Sequence, residues 1–442
     1  MKGSYARLSL VLFAAGMAGT VTNVSVTVVA SPLAHAWDVP FSHVAVAVIA
    51  LNVAMAFIMP VAGLTAGRYG MRTLLLLGGI TLGISTALLL VAEDTTLLTL
   101  GRLGQGAGMA AITPTAVQAS NNLLSAEQHA RALGWWSAAN GAGLAIGPVL
   151  GGALFDLGGW DLVPLPTLFI AALLLVSILR GVPRGVTYRG PVRLFGVVML
   201  SLMAGLAVSV LSALSVGAIV PALGGAAILA GTAAYSFGRR RSELPLHWLD
   251  DTLVRRSGTG ASVQMFITGV AQIGVPAWLV TAGLATPGGA GVVLLAMTLT
   301  MTFMGPLTGR RLDVSYARWF RMGGILLAVG GGGLALSASA LPWWLSLPML
   351  VVSGVGAGCL LTPSFQVFSA TNPGKDGVGI AMYNMSRLAS FAVGGIVAAA
   401  AVDGGVPWIA FAAGAGLCLL LLVPVVPSVP TPTREMTSAD AG

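Results

Sequence analysis

The feature that most constrains this chain is a recurrence of apolar stretches, each roughly 20 to 25 residues long and separated from the next by short polar joints. A helix rises 1.5 Å per residue, so each stretch has the length needed to cross a hydrocarbon layer about 30 Å thick. About fourteen spans are expected, at 8–30, 43–65, 73–92, 97–119, 132–155, 162–182, 193–214, 216–237, 259–283, 288–309, 318–340, 343–367, 377–402 and 406–427, each boundary good to about 2–4 residues. Charged residues are only 8% of the chain and hydrophobic ones 56%, whereas soluble domains carry about 25% charge. The period-two alternation of an outer-membrane barrel is absent, and glycine runs through the apolar stretches as it does in packed membrane helices. The expected fold is an all-α integral membrane bundle.

The first span begins with Lys2 and Arg7 and ends near Ala34-His35-Ala36, but its apolar region is too long for a cleaved signal peptide and is expected to be retained. Cys359 and Cys418 both fall inside spans, where they read as small buried hydrophobes with no disulfide or metal role.

A net charge of +8 would suit a nucleic-acid binder if the basic residues shared one solvated face. They are distributed by loop instead. Lys2 and Arg7, Arg68 and Arg72, Arg131, Arg180 to Arg193, Arg239 to Arg256, Arg310 to Arg321, Lys375 and Arg434 all fall on one side of the fourteen-span topology. The opposite connections hold no Lys or Arg, only Asp38, Glu93, Asp94, Asp156, Asp161 and Asp403. The basic side is expected to be cytoplasmic, with both termini there. No nucleic-acid partner is expected. The partners are the bilayer and a small-molecule substrate, and the protein is expected to be a monomer. Arg102 and Arg387 alone lie inside spans.

Two strings repeat. Gly63-Leu-Thr-Ala-Gly67-Arg68 returns as Gly305-Pro-Leu-Thr-Gly309-Arg310. Gly104-Gln-Gly-Ala-Gly108, followed by Thr113-Pro114 and Gln118, returns as Gly354-Val-Gly-Ala-Gly358, Thr362-Pro363 and Gln366. Two six-helix halves are therefore expected, residues 1–190 and 257–442, the second ending in a short cytoplasmic tail. Between them, 191–256 hold an inserted helix pair and a cytoplasmic loop.

With these repeats the chain resembles the major facilitator superfamily, and within it the fourteen-helix drug:proton antiporters with their six-plus-two-plus-six plan. Three strings carry the resemblance: Gly63-x-x-x-Gly67-Arg68-x-Gly70-x-Arg72, Arg102-x-x-Gln105-Gly106-x-Gly108, and Gly143-Leu-Ala-Ile-Gly147-Pro148-Val-Leu-Gly151-Gly152, the exporter signature. It implies a major facilitator-type bundle that needs no cofactor and exports small amphipathic organic molecules, such as drugs or antibiotics, by alternating access. The energy source it implies is the proton gradient, and the site a bacterial cell membrane. The chain departs from the family at Gly67, Met71 and Ala18, where an Asp, a basic residue and a first-helix Asp usually stand. Arg68 and Arg72 therefore read either as gate residues or as topology determinants.

The residues have their own physical readings. Gly143, Gly147 and Gly151 recur every four positions, which gives one helix face on which a second backbone can approach, and Pro148 permits a bend. That face reads either as tight packing or as the surface on which two halves rock. An Arg within a bilayer normally faces the bundle interior or a water-filled cavity. Arg102, with Gln105 one turn on, and Arg387, with Asn384 one turn before, are candidate substrate or coupling residues. The alternatives are snorkelling for Arg102 and a structural tie to backbone carbonyls for Arg387. Asn23 and Asn140 join them as uncharged polar candidates, with Asn52, Gln264, Gln272 and Gln366. Trp135, Trp136, Met265 and Phe266 are candidate apolar walls, or simply packing. The nearest titratable groups, Asp38, His43 and Asp156, lie near span ends. An importer or uniporter of a metabolite stays open. A membrane enzyme is disfavoured, because the spans hold no Asp-rich site and the histidines have no ligand spacing, and the lack of a phosphate loop argues against ATP-driven transport.

Overall fold

The computed structural model describes residues 2–184, 194–239, 252–309, 316–371 and 377–422. Among them every regular element is helical: α1 (Lys2–Val24), α2 (Ala30–Ala36), α3 (Phe41–Tyr69), α4 (Met71–Leu89), α5 (Thr95–Leu123), α6 (Ala126–Gly158), α7 (Leu165–Gly181), α8 (Leu194–Ser215), α9 (Ile219–Arg239), α10 (Thr252–Thr281), α11 (Pro287–Gly309), α12 (Tyr316–Ser339), α13 (Ser346–Thr371), α14 (Gly377–Asp403) and α15 (Pro407–Leu422), with two single 3-10 turns. Setting aside the seven-residue α2, each expected span has its helix. Twelve of these are long and apolar enough to cross a membrane. The exceptions are α5, which Arg102, Gln105, Gln118, Asn121 and Asn122 make more polar, and α15, which is described over only 16 residues.

Helix ends follow local chemistry. Asp94 accepts the Leu97 N–H at 2.7 Å to start α5, and Ser125 accepts that of Gln128 to start α6. Gly70 stands between α3 and α4 at φ 92°, a conformation that only glycine adopts without strain, so the two helices join through one residue. The first span departs from expectation. Hydropathy runs it through 8–30, but α1 ends at Val24 and residues 25–29 form turns before α2. These residues stay apolar, so hydropathy does not show the break.

Helix packing makes the internal repeat visible. In the first half α3 and α4 pack on α5, α6 and α7 on α1, and α7 on α4. In the second half α11 and α12 pack on α13, α14 and α15 on α10, and α15 on α12. The repeated glycines are what let these helices close. A Cβ on Gly106 would lie 2.3 Å from the Leu51 carbonyl of α3, and one on Gly354 the same distance from the Met297 carbonyl of α11. The halves meet along two seams, α6 on α11 and α3 on α14. The inserted pair leans on the second seam: α8 touches both α3 and α14, Leu200 and Ala204 cover Ala56, Met382 and Met385, and α9 packs on α8.

Candidate functional site

Arg102 is fully buried, 0% exposed. Its Nε donates to the Val48 carbonyl at 3.1 Å, Nη1 to the Thr22 carbonyl at 2.6 Å and to Gln105 Oε1 at 3.0 Å, and Nη2 to the Asn23 carbonyl at 3.3 Å. Thr22 and Asn23 are in the last turn of α1, where helical carbonyls lose their intrahelical partners. The guanidinium replaces those partners and ties α1, α3 and α5 together. Gln105 extends the network by donating to Thr86 Oγ1 on α4 at 3.0 Å. Asn23 and Asn52 complete it with a reciprocal amide pair at 3.0 and 3.3 Å. The structure thus brings Arg102, Gln105 and Asn23 into one cluster. It shows neither a snorkelling Arg102 nor one turned to a cavity.

Arg387 is only half-buried. Its Nη1 donates to Asn384 Oδ1 at 3.3 Å, its guanidinium lies 5.5 Å from the centre of the Tyr383 ring, and its buried Nε–H has no acceptor. Phe365, 40% exposed, packs against Tyr383 with ring centres 5.9 Å apart. Asn140 occupies the matching place in the first half: Asn140 and Arg387 each precede by 16 residues the aspartate near the end of their helix, Asp156 on α6 and Asp403 on α14. An aromatic residue stands one turn before each, Trp136 and Tyr383. Asn140 Nδ2 donates to the Trp136 carbonyl at 2.8 Å. On α10, Gln264 and Gln272 are buried with Oε1 atoms that have no hydrogen-bond partner.

The glycine-rich face of α6 is placed differently from the rocking surface expected for it. Cβ atoms on Gly143, Gly147 and Gly151 would run into Thr20, Val24 and the Ser25 carbonyl, all in the same half. The four-residue spacing defines a face but not the neighbour it meets. The seam lies one position away. Gly152 faces the Pro287 carbonyl of α11, which a Cβ would approach to 2.4 Å, and the Pro148 carbonyl faces Gly291. Arg72 donates to the carbonyls of Leu179 and Val182 at 3.2 and 3.1 Å, which caps the C-terminal end of α7 within its own half. The side chains of residues 63–69, including Gly63 and Arg68, and that of Gln366 lie outside the described residues.

The sequence reading missed what holds the seams at the acidic end. Asp156 accepts from the Gly288 N–H at 3.0 Å and the Thr286 hydroxyl at 3.1 Å, at the start of α11. Asp403 accepts from the N–H groups of Phe41 and Ser42 at 3.0 and 2.8 Å, at the start of α3. Each carboxylate therefore caps the N-terminus of a helix in the other half, where the helix dipole favours negative charge. Both are exposed. The signal available in the sequence was their equivalent position at the ends of two repeat-related helices.

Residues 8–191 match the family model described as Major Facilitator Superfamily. The chain is 27% identical over 373 residues to the probable actinorhodin transporter of Streptomyces coelicolor, an alignment covering 79% of this chain and 63% of that protein. It is 29% identical over 341 residues to a multidrug resistance protein B homolog of Mycobacterium tuberculosis, covering 70% and 60%. It thus spans about three fifths of the length of these curated relatives. Among solved structures, the human organic anion transporter MFSD10 superposes with a TM-score of 0.64 at 16% identity over 96% of this chain and 98% of that one. A POT family transporter reaches 0.69 at 14% identity over 95% of each. With two repeated halves joined along two helix seams, the chain has the fold of these solved structures, and over residues 8–191 it is similar to the Major Facilitator Superfamily.

Proposed function

We propose that this protein exports small amphipathic organic molecules across a bacterial cell membrane by alternating access, acting as a monomer in exchange for protons. The observation that carries this reading is the pair of seams. Each is close-packed but is capped at the acidic end by one exposed carboxylate, whose hydrogen bonds water can take over with little loss when the halves part. The basic end is the cytoplasmic one, with both termini, because every Lys and Arg outside the spans lies in those connections. The acidic end therefore faces outward, and Asp156 and Asp403 are the seam groups that outside protons can reach. Neutralising either one weakens its cap. The relatives named as a probable actinorhodin transporter, a multidrug resistance protein B homolog and a methylenomycin A resistance protein support export as the direction.

One observation favours uniport as a second reading: none of the fourteen carboxylates lies in the interior of an expected span, and Ala18 stands where the resembled family has one. Efflux of a loaded fluorescent compound from cells, with and without a proton uncoupler, separates the two. Antiport requires that the uncoupler abolish flux against a gradient. Flux that continues only downhill and ignores the uncoupler replaces it with uniport.

A further inference from the structure

We infer that the exported molecules carry an anionic group that pairs with Arg387. This inference rests on the export reading above and names the substrate class for that same site. A guanidinium has five N–H donors in a planar fork. At Arg102 that fork meets four acceptors and is sealed. At Arg387 it meets one, Asn384 Oδ1 at a long 3.3 Å, while the buried Nε–H points at no acceptor. No carboxylate lies within ion-pair distance among the described residues, where the single salt bridge joins Arg131 to Glu127. Ten residues into α14, about 15 Å along the helix axis, the positive charge has no counter-ion among the described residues.

A charge this deep is retained where it lines a polar cavity or meets a ligand. The open part of the fork matches a planar anion such as a carboxylate, which can accept two parallel N–H bonds. Beside it, the Tyr383 ring lies under the guanidinium and the exposed Phe365 continues the apolar surface. An aromatic body with one acidic group fits both features: its ring covers Phe365 and its anion completes the fork. A cation would meet like charge at this position and find no acid to replace it. The repeat-related position in the first half holds the neutral Asn140, so of the two equivalent positions only that in the second half is positive.

The test uses three xanthene dyes of similar size in everted membrane vesicles and with purified protein: fluorescein as the anion, rhodamine 123 as the cation and a neutral fluorescein diether. The wild type is expected to accumulate fluorescein at least tenfold over vesicles without the protein, and to be stabilised against heat by fluorescein but not by rhodamine 123. Arg387→Gln is expected to lose both effects while accumulating in the membrane normally. Arg387→Lys, which keeps the charge but not the fork, should retain a fraction of each. Transport of the cation or the neutral dye with fluorescein excluded overturns the anion inference and leaves export standing. Undiminished fluorescein transport by a well-inserted Arg387→Gln also overturns it. If no dye of any charge moves, the export reading fails and this inference with it.

Discussion

Arg102 and Arg387 are both arginines inside membrane spans, one in each half, and their surroundings are opposite. Arg102 is sealed, with three backbone carbonyls and a glutamine closing its fork. Arg387 has one long hydrogen bond, an aromatic face and an open remainder. The difference teaches that depth in the membrane does not by itself decide whether a charged residue's donors are satisfied within the protein. What separates the two is whether the protein itself supplies the acceptors. Where it does, the arginine replaces the missing hydrogen bonds of a broken helix end. Where it does not, part of the donor set is left without an acceptor, the feature on which the anion inference rests.

The largest effect that could break this comparison is expected from Arg102→Met. The substitution leaves the carbonyls at the end of α1 without their donor inside the bundle, at about 1–3 kcal/mol for each buried group left unpaired. Folded protein in the membrane, measured by fluorescence-detected size exclusion, should fall at least tenfold. Arg387→Met should accumulate at near wild-type levels. Equal yields from the two would show that their different hydrogen bonding has no bearing on assembly.

A second pair extends the comparison from arginines to glycines. Gly151 and Gly152 are adjacent, yet one faces the Ser25 carbonyl inside its own half and the other the Pro287 carbonyl across the seam. Leucine at Gly151 should act like the loss of Arg102, because α1 has to shift within a packed half and overpacking costs about 1–3 kcal/mol or more. Leucine at Gly152 should leave each half folded and wedge the seam, so that protein accumulates and transport falls severalfold. If the two variants give the same yield and the same residual transport, the division into contacts within halves and contacts between them has no mechanical meaning.

Much of this architecture is legible in the sequence, because a bilayer demands long apolar helices and a fixed charge asymmetry between loops. The spans, the repeat and the depth of Arg387 follow from that demand alone. The break at residues 25–29 does not, since Val26, Val28 and Val29 are as apolar as any span and the turn is stabilised from elsewhere in the chain, by Arg102. The neighbour of the Gly143, Gly147 and Gly151 face is hidden for a related reason: spacing fixes which residues share a face, while tertiary packing decides what covers it. Asp403 and Phe41 stand at nearly opposite ends of the chain, so their pairing exists only once the halves have docked. Arg102 and Arg387 look alike as sequence. They differ only in the acceptors that folding brings to one and withholds from the other.

The smallest expected effect is at the acidic ends of the seams, and it bears on what joins the halves rather than on what holds each together. Asp156 and Asp403 cap helices α11 and α3 as equivalents in the two repeats, so neither is expected to dominate. Both are exposed, and an exposed helix cap is worth about 1 kcal/mol. Replacing either by Ala should then shift the balance between the closed and open acidic end by about fivefold. Asn, which keeps an acceptor oxygen and loses the charge, should shift it less. The double Ala variant should give close to the product of the two single shifts, because the caps sit on different seams and share no partner. Spin labels at Leu157 and Leu284, both exposed on opposite sides of the α6–α11 seam, would report the two populations as two distances, with Cys359 and Cys418 replaced by Ala. Folded yield should stay near wild type throughout, unlike that of Arg102→Met. A distance distribution that does not move in the double variant would show the seam to be held by its packed backbones alone, and would remove Asp156 and Asp403 from the proton-coupling reading.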